Sequence, residues 1–292
     1  MSLKLPLVDA GGETKDSLEQ KFFRGSEILA EYLQEIEDKL INGEAFLTAV
    51  YNRITLGLFL KLSRSYRSFL LLELHSKDLK TIQFLSEQLC EAVVMLAFLA
   101  EEIDESSLCP YIATSLKQAY CLYALLEEKL LQSPKDAKLQ SLKAKLQRFI
   151  ERAQQQLREF TDTCKMTEGY ADGCISMEIF DGSALTERAE TVGIKALLDS
   201  SRKITLAVQP ASLLDLHLFY LESSTTHFSY ANHLKLIRDT SHACLHATKI
   251  FLDEVIACCY DHDVGLDLMQ IDYDFNLFFE WFHNTYVIYQ SI

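Results

Sequence analysis

An all-α fold, a single bundle of about nine helices with little or no sheet, is predicted by three features of this sequence. Hydrophobic residues fill 49% of its 292 positions, enough for a continuous core. Only 10 Gly and 4 Pro punctuate the chain, too few for a turn-rich β architecture. Between these breakers run long stretches of Leu, Glu, Ala, Lys and Gln, the residues that give up least rotamer freedom in a helix.

The elements follow in order. Residues 1–15 read as a mobile leader, and Asp16-Ser17 offers an N-cap for a helix over 17–41. Leu18, Phe22, Ile28, Leu29, Tyr32, Ile36 and Leu40 recur there at helical spacing, interrupted by Gly25-Ser26 and closed by Asn42-Gly43. A second helix spans 44–75 without a breaker, and Ser76 caps a third that runs to about 104. These two, with the helix over 232–261, are the predicted core. Pro110 suits the first turn of a helix over 110–132, and Ser133-Pro134 turns the chain into the next, 135–162. That helix carries an apolar stripe, Leu139, Leu142, Leu146, Phe149, Ala153, Leu157 and Phe160, with seven Lys and Arg on its other faces. Residues 163–184 hold Gly169, Gly173 and Gly182, break all periodicity and read as a loop or lid within one helical domain, 16–292. Helices over 186–200, 210–223, 232–261 and 272–290 complete the prediction.

The totals exclude several classes of function. A formal charge of −14 and a pI near 5.0 disfavour nucleic acid, which draws most of its protein affinity from Lys and Arg. The basic helix over 135–162 is therefore read as a solvated bundle face. The most apolar run, Leu89 to Ala100, would cover only about half of a bilayer, and the start, MSLKLPLVDAGGETKD, lacks the apolar core of a signal peptide. Eight cysteines without a CxxC pair, all in apolar helical contexts, read as reduced core thiols and point to the cytoplasm.

Few constellations carry chemistry. His242 and His246, four apart, would share one helix face as a zinc site requires. Spacing does not fix a third ligand among Asp253, Asp261, His262 and Asp263, so the pair stands as an alternative and no metal is expected. Glu280 and His283 have the Glu-x-x-His spacing of helical di-iron proteins, but a second copy is missing. No dinucleotide cofactor is expected, since no strand runs into a Gly-rich turn. No Gly-x-Ser-x-Gly occurs, and Cys258-Cys259 falls late in an apolar helix, where thiols are usually inert.

The segment YLESSTTH, 220–227, places Tyr220, Ser224 and His227 within one helix end, where a hydroxyl cluster beside an imidazole either terminates the helix or orients a water. Its form, Tyr-x-x-x-Ser-x-x-His, resembles the signature of a bacterial family of all-helical domains of unknown function. In that family an upstream helix carries an Arg-x-x-x-Glu pair. The nearest match here is Gln83-Phe-Leu-Ser-Glu87, which keeps the acid and replaces the arginine. The family is distantly similar to the HEPN helical bundles, many of which are RNases using an Arg and a His with four to six residues between them. That spacing is absent here: Arg67 and His75 are too far apart, Arg238 and His242 too close, and Arg238 and His246 too far again. Two readings of function remain. One is an interaction or regulatory module that binds a protein partner or a second copy. The other is a hydrolase or HEPN-like RNase with Tyr220, Ser224, His227 and Glu87 lining a polar pocket, Glu87 or Arg64 serving as the titratable partner of His227.

Overall fold

The computed structural model describes residues 15–42, 50–75, 79–101, 105–164, 182–193, 195, 226–259 and 263–291. Among these the chain is all-α, with eight helices: α1 (Lys15–Asn42), α2 (Val50–His75), α3 (Leu79–Glu101), α4 (Glu105–Gln132), α5 (Ala137–Cys164), α6 (Gly182–Thr191), α7 (Thr226–Cys259) and α8 (Asp263–Ser291). The helix expected over 210–223 lies outside the described residues, as does most of the loop or lid expected over 163–184. None of the described helices is long and apolar enough to cross a membrane.

The chain divides into two compact units, residues 1–101 with 186–292, and residues 102–185. In the first unit α7 is the central element, packing against α1, α2, α3 and α8, while α1 also meets α2 and α8. Aromatic side chains fill the seams. Phe59 of α2 stacks on Phe251 of α7 at 4.6 Å, and Tyr32 of α1 meets Phe275 of α8 edge-on at 5.4 Å. The three helices predicted as core supply buried rows: Phe59, Leu62, Tyr66 and Phe69 from α2, Val93 to Ala97 from α3, and Ala243 to Leu245 from α7.

Helix α6 begins at Gly182 rather than 186 and α7 at Thr226 rather than 232, and three further differences from the pattern reading have a local reason. Gly25-Ser26 does not interrupt α1. A Cβ on Gly25 would stand 2.5 Å from Phe282 Cδ2, so the glycine makes room for that ring of α8, and the Ser26 hydroxyl bonds back to the Phe22 carbonyl at 2.8 Å. Pro110 does not open α4, which begins five residues earlier, so the ring costs one interior backbone bond. Helix α8 starts at Asp263 rather than 272 and runs through Gly265, a residue of low helix propensity. The thiol reading holds for Cys90, Cys109 and Cys244, which are buried and outside any disulfide, but Cys121 is exposed, on the solvent side of α4.

The second unit contains the α4–α5 hairpin. Asp136 caps α5 through its side chain, accepting from the backbone N–H groups of Lys138 and Leu139 at 2.9 and 3.2 Å. Lys143 of α5 pairs with Glu127 of α4 at 2.8 Å and lies over the Tyr123 ring, and Gln154 donates to the Tyr120 hydroxyl at 2.6 Å.

Candidate functional sites

The residues singled out in YLESSTTH fall largely outside the description. Tyr220 and Ser224 are outside the described residues; His227 lies in the first turn of α7 and Glu87 within α3, with their side chains undescribed. Arg64, the other named partner of His227, is engaged elsewhere: its Nε donates to Glu37 Oε1 at 2.9 Å. Glu37 is a buried carboxylate that also accepts from Arg67 Nη2 at 2.7 Å and from the Ser63 hydroxyl at 2.8 Å. This cluster ties α1 to α2.

The centre of α7 concentrates the polar residues of the first unit. Asp239, Thr240, Ser241 and His242 are consecutive, and because successive helical residues are about 100° apart Thr240 and Ser241 turn to other helices while Asp239 and His242, three apart, both face α8. Thr240 exchanges a hydrogen bond with Ser86 of α3 at 3.0 Å. Ser241 meets the hydroxyls of Ser26 on α1 at 2.9 Å and Tyr66 on α2 at 2.8 Å. Asp239 accepts from the Tyr286 hydroxyl of α8 at 3.3 Å and pairs with Arg238 at 2.7 Å. Ser241, Ser26 and Tyr66 are wholly buried, and burial first of all pushes the Tyr66 phenol well above its usual range. Sealed and mutually bonded, these hydroxyls clasp three helices together.

His242 faces a separate cluster. Its Nε2 lies 3.2 Å from His246 Nε2, one turn on, and 3.0 Å from His283 Nδ1 across on α8. One ring nitrogen from each of the three lies within 4.8 Å of the other two. Aromatic neighbours fix the rings: Tyr286 stacks on His242 at 3.9 Å and 3°, and Phe279 meets His246 edge-on at 4.9 Å. The sequence paired His242 with His246 correctly as face-mates and left the third member open. It is His283, which pattern reading had placed only in a Glu-x-x-His pair. Glu280 of that pair is exposed, and Asp253, one of the third-ligand candidates, is bound to Lys249. Asp261 and His262 lie outside the described residues, and the Asp263 side chain is undescribed.

Burial, then the neighbouring imidazoles His246 and His283, then Arg238, lowers the pKa of His242 to about 3; burial and His283 lower that of His246 to about 4. Both lie below the value of about 6.5 of an unfolded chain. In the window between, the unfolded state binds more protons, so stability is complete above about pH 6.5 and is lost as pH falls toward 4. For the metal-free chain the expected slope is at most about 1.4 kcal/mol per pH unit and per histidine, reduced by the partial exposure of both rings. Urea denaturation at a series of pH values checks this. The His242→Gln, His246→Gln double variant should show a flatter profile than the parent, and an equally steep one would refute the assignment.

A second feature lies on α5. Leu139, Leu142, Leu146, Phe149 and Ala153 follow the alternating three- and four-residue spacing of a heptad seam. Ile150, on one border of the seam, and Ala153, within it, are buried, while Leu142 and Phe149 remain 44% and 43% exposed. Lys138, Lys145 and Arg152, seven residues apart, all exposed, border the seam on its other side. Comparison with known proteins gave no match: no family model, curated protein or solved structure is significantly similar to this chain.

Proposed function

We propose that the chain is a helical interaction module whose docking element is α5, and that its partner is a helix with an apolar stripe flanked by glutamate or aspartate. The observation that carries this reading is the half-exposed heptad seam with a basic residue at every step along one border. Such a seam gains stability when a second helix inserts side chains between its own, and the flanking charges choose the partner. An acidic helix satisfies them.

The same charges argue against a second copy. Parallel pairing through α5 would set Lys138, Lys145 and Arg152 opposite Lys143 and Ile150 of the other copy, and antiparallel pairing would set them against one another. Like charges face each other either way. Nucleic acid is disfavoured because the row of leucines in the middle of this face has nothing to bury against phosphate, in a chain of net charge −14.

The full chain should bind a synthetic heptad-repeat peptide with Leu at its seam and Glu beside it, measured by fluorescence anisotropy, and affinity should fall with added salt. Leu142→Asp with Phe149→Asp should weaken it at least about tenfold, the effect of about 1.4 kcal/mol. Equal binding of a Lys-flanked peptide, preferential binding of single-stranded RNA, or an α5-dependent dimer in sedimentation equilibrium would each overturn the proposal.

A further inference from the structure

We propose that His242, His246 and His283 form a binding site for one late first-row divalent cation of the zinc class, with the remaining coordination position taken by water or an external ligand. The site is independent of the α5 surface and belongs to the first unit alone.

The geometry is close to what a metal requires. Tetrahedral coordination with Zn–N bonds of about 2.0–2.1 Å sets ligand nitrogens about 3.3 Å apart. The His242–His246 and His242–His283 separations, 3.2 and 3.0 Å, already match two edges of that tetrahedron. The third edge, no longer than 4.8 Å, closes by small rotations of His246 and His283 about their side-chain torsions.

Hydrogen bonding among the three rings leaves the cluster incomplete. A neutral imidazole nitrogen carries either one proton or one lone pair in the ring plane. His242 Nε2 has two nitrogen neighbours at hydrogen-bonding distance but only one proton or one lone pair to offer them, so whichever tautomers are chosen the two contacts divide a single group and at most one of them is well aligned. Protonating a ring would add donors, but burial and the neighbouring Arg238 oppose the charge. A cation among the three nitrogens satisfies every lone pair at once. Neutral imidazole is also the form in which histidine binds metal, so the environment holds the ligands ready.

The donor set selects the ion. Three nitrogens without a carboxylate in the group suit Zn²⁺, Co²⁺, Ni²⁺ or Cu²⁺ and not Mg²⁺ or Ca²⁺, which require oxygen. Arg238 is a cationic neighbour that acts against positive charge at His242, and its ion pair with Asp239 offsets it. Because two ligands stand on α7 and the third on α8, an occupied site would also fasten these helices to each other.

The test uses the full chain, free of any histidine tag and stripped with a chelator. Titration with Co²⁺ should produce the intense visible absorption of a tetrahedral site, saturating at one equivalent and displaced by Zn²⁺. Isothermal titration with Zn²⁺ should give the same stoichiometry. His283→Gln should weaken binding by at least about a hundredfold, beyond the loss seen when an outer-shell partner is removed, whereas His262→Ala should bind as the parent does. If His283→Gln does not fold by circular dichroism, His246→Gln serves in its place. No binding at micromolar Zn²⁺ by the folded parent, or binding that survives loss of a cluster histidine and disappears in His262→Ala, would overturn the site.

Discussion

Replacing Gly25 by valine is expected to destabilise the first unit by about 1–3 kcal/mol, the usual cost of forcing extra carbons into a filled core. A Cβ at this position would lie 2.5 and 2.7 Å from two ring carbons of Phe282 and 3.1 Å from Trp281. The Phe282 ring has little freedom to yield. It is fully buried, edge-on to Phe22 at 5.6 Å and against Phe278 at 5.9 Å. Helix propensity works in the opposite direction, by less than about 1 kcal/mol, so the clash decides the sign. Phe282→Leu costs stability by itself, yet in the valine background it should restore part of the loss by making room. Urea unfolding of the four chains of this cycle gives the coupling, and additive effects would show that the two residues do not compete for the same space.

Arg67→Met is expected to cost about 2–3 kcal/mol, the scale of a hydrogen bond to a charged group that is left exposed to its own desolvation. Glu37 has a side chain only 5% exposed, and Arg67 supplies its shortest contact, at 2.7 Å. Arg64 and Ser63 would still reach the carboxylate, which keeps the loss below that of an orphaned buried charge. Removing the acid as well, in Glu37→Met with Arg67→Met, should be milder than Arg67→Met alone, because an apolar pair no longer asks a buried carboxylate to lose its partner. Thermal denaturation ranks the variants, and a double variant less stable than the single one would contradict this account.

Much of the architecture was legible before any coordinates. Unbroken apolar periodicity over 50–75 and 79–101 and the scarcity of Gly and Pro determine helices whatever they pack against, because a residue's period along its own helix is a local property. The same holds for His242 and His246: four residues apart in a helix, they face one way. It holds as well for the heptad seam of α5 and its basic border, all within one element.

What remained was decided by contacts between elements distant in the chain. His283 follows His246 by 37 positions, and no spacing rule links residues on different helices, so the third imidazole of the cluster emerges only once α8 lies against α7. The Gly25-Ser26 pair read as a break because Gly lowers helix propensity. Tertiary packing reverses its meaning: the missing Cβ admits Phe282, and the serine hydroxyl finds Ser241, 215 residues away. Local preferences are worth tenths of a kcal/mol to about 1 kcal/mol per residue, and burial of an aromatic ring is worth several times more, so where the two conflict the packing prevails.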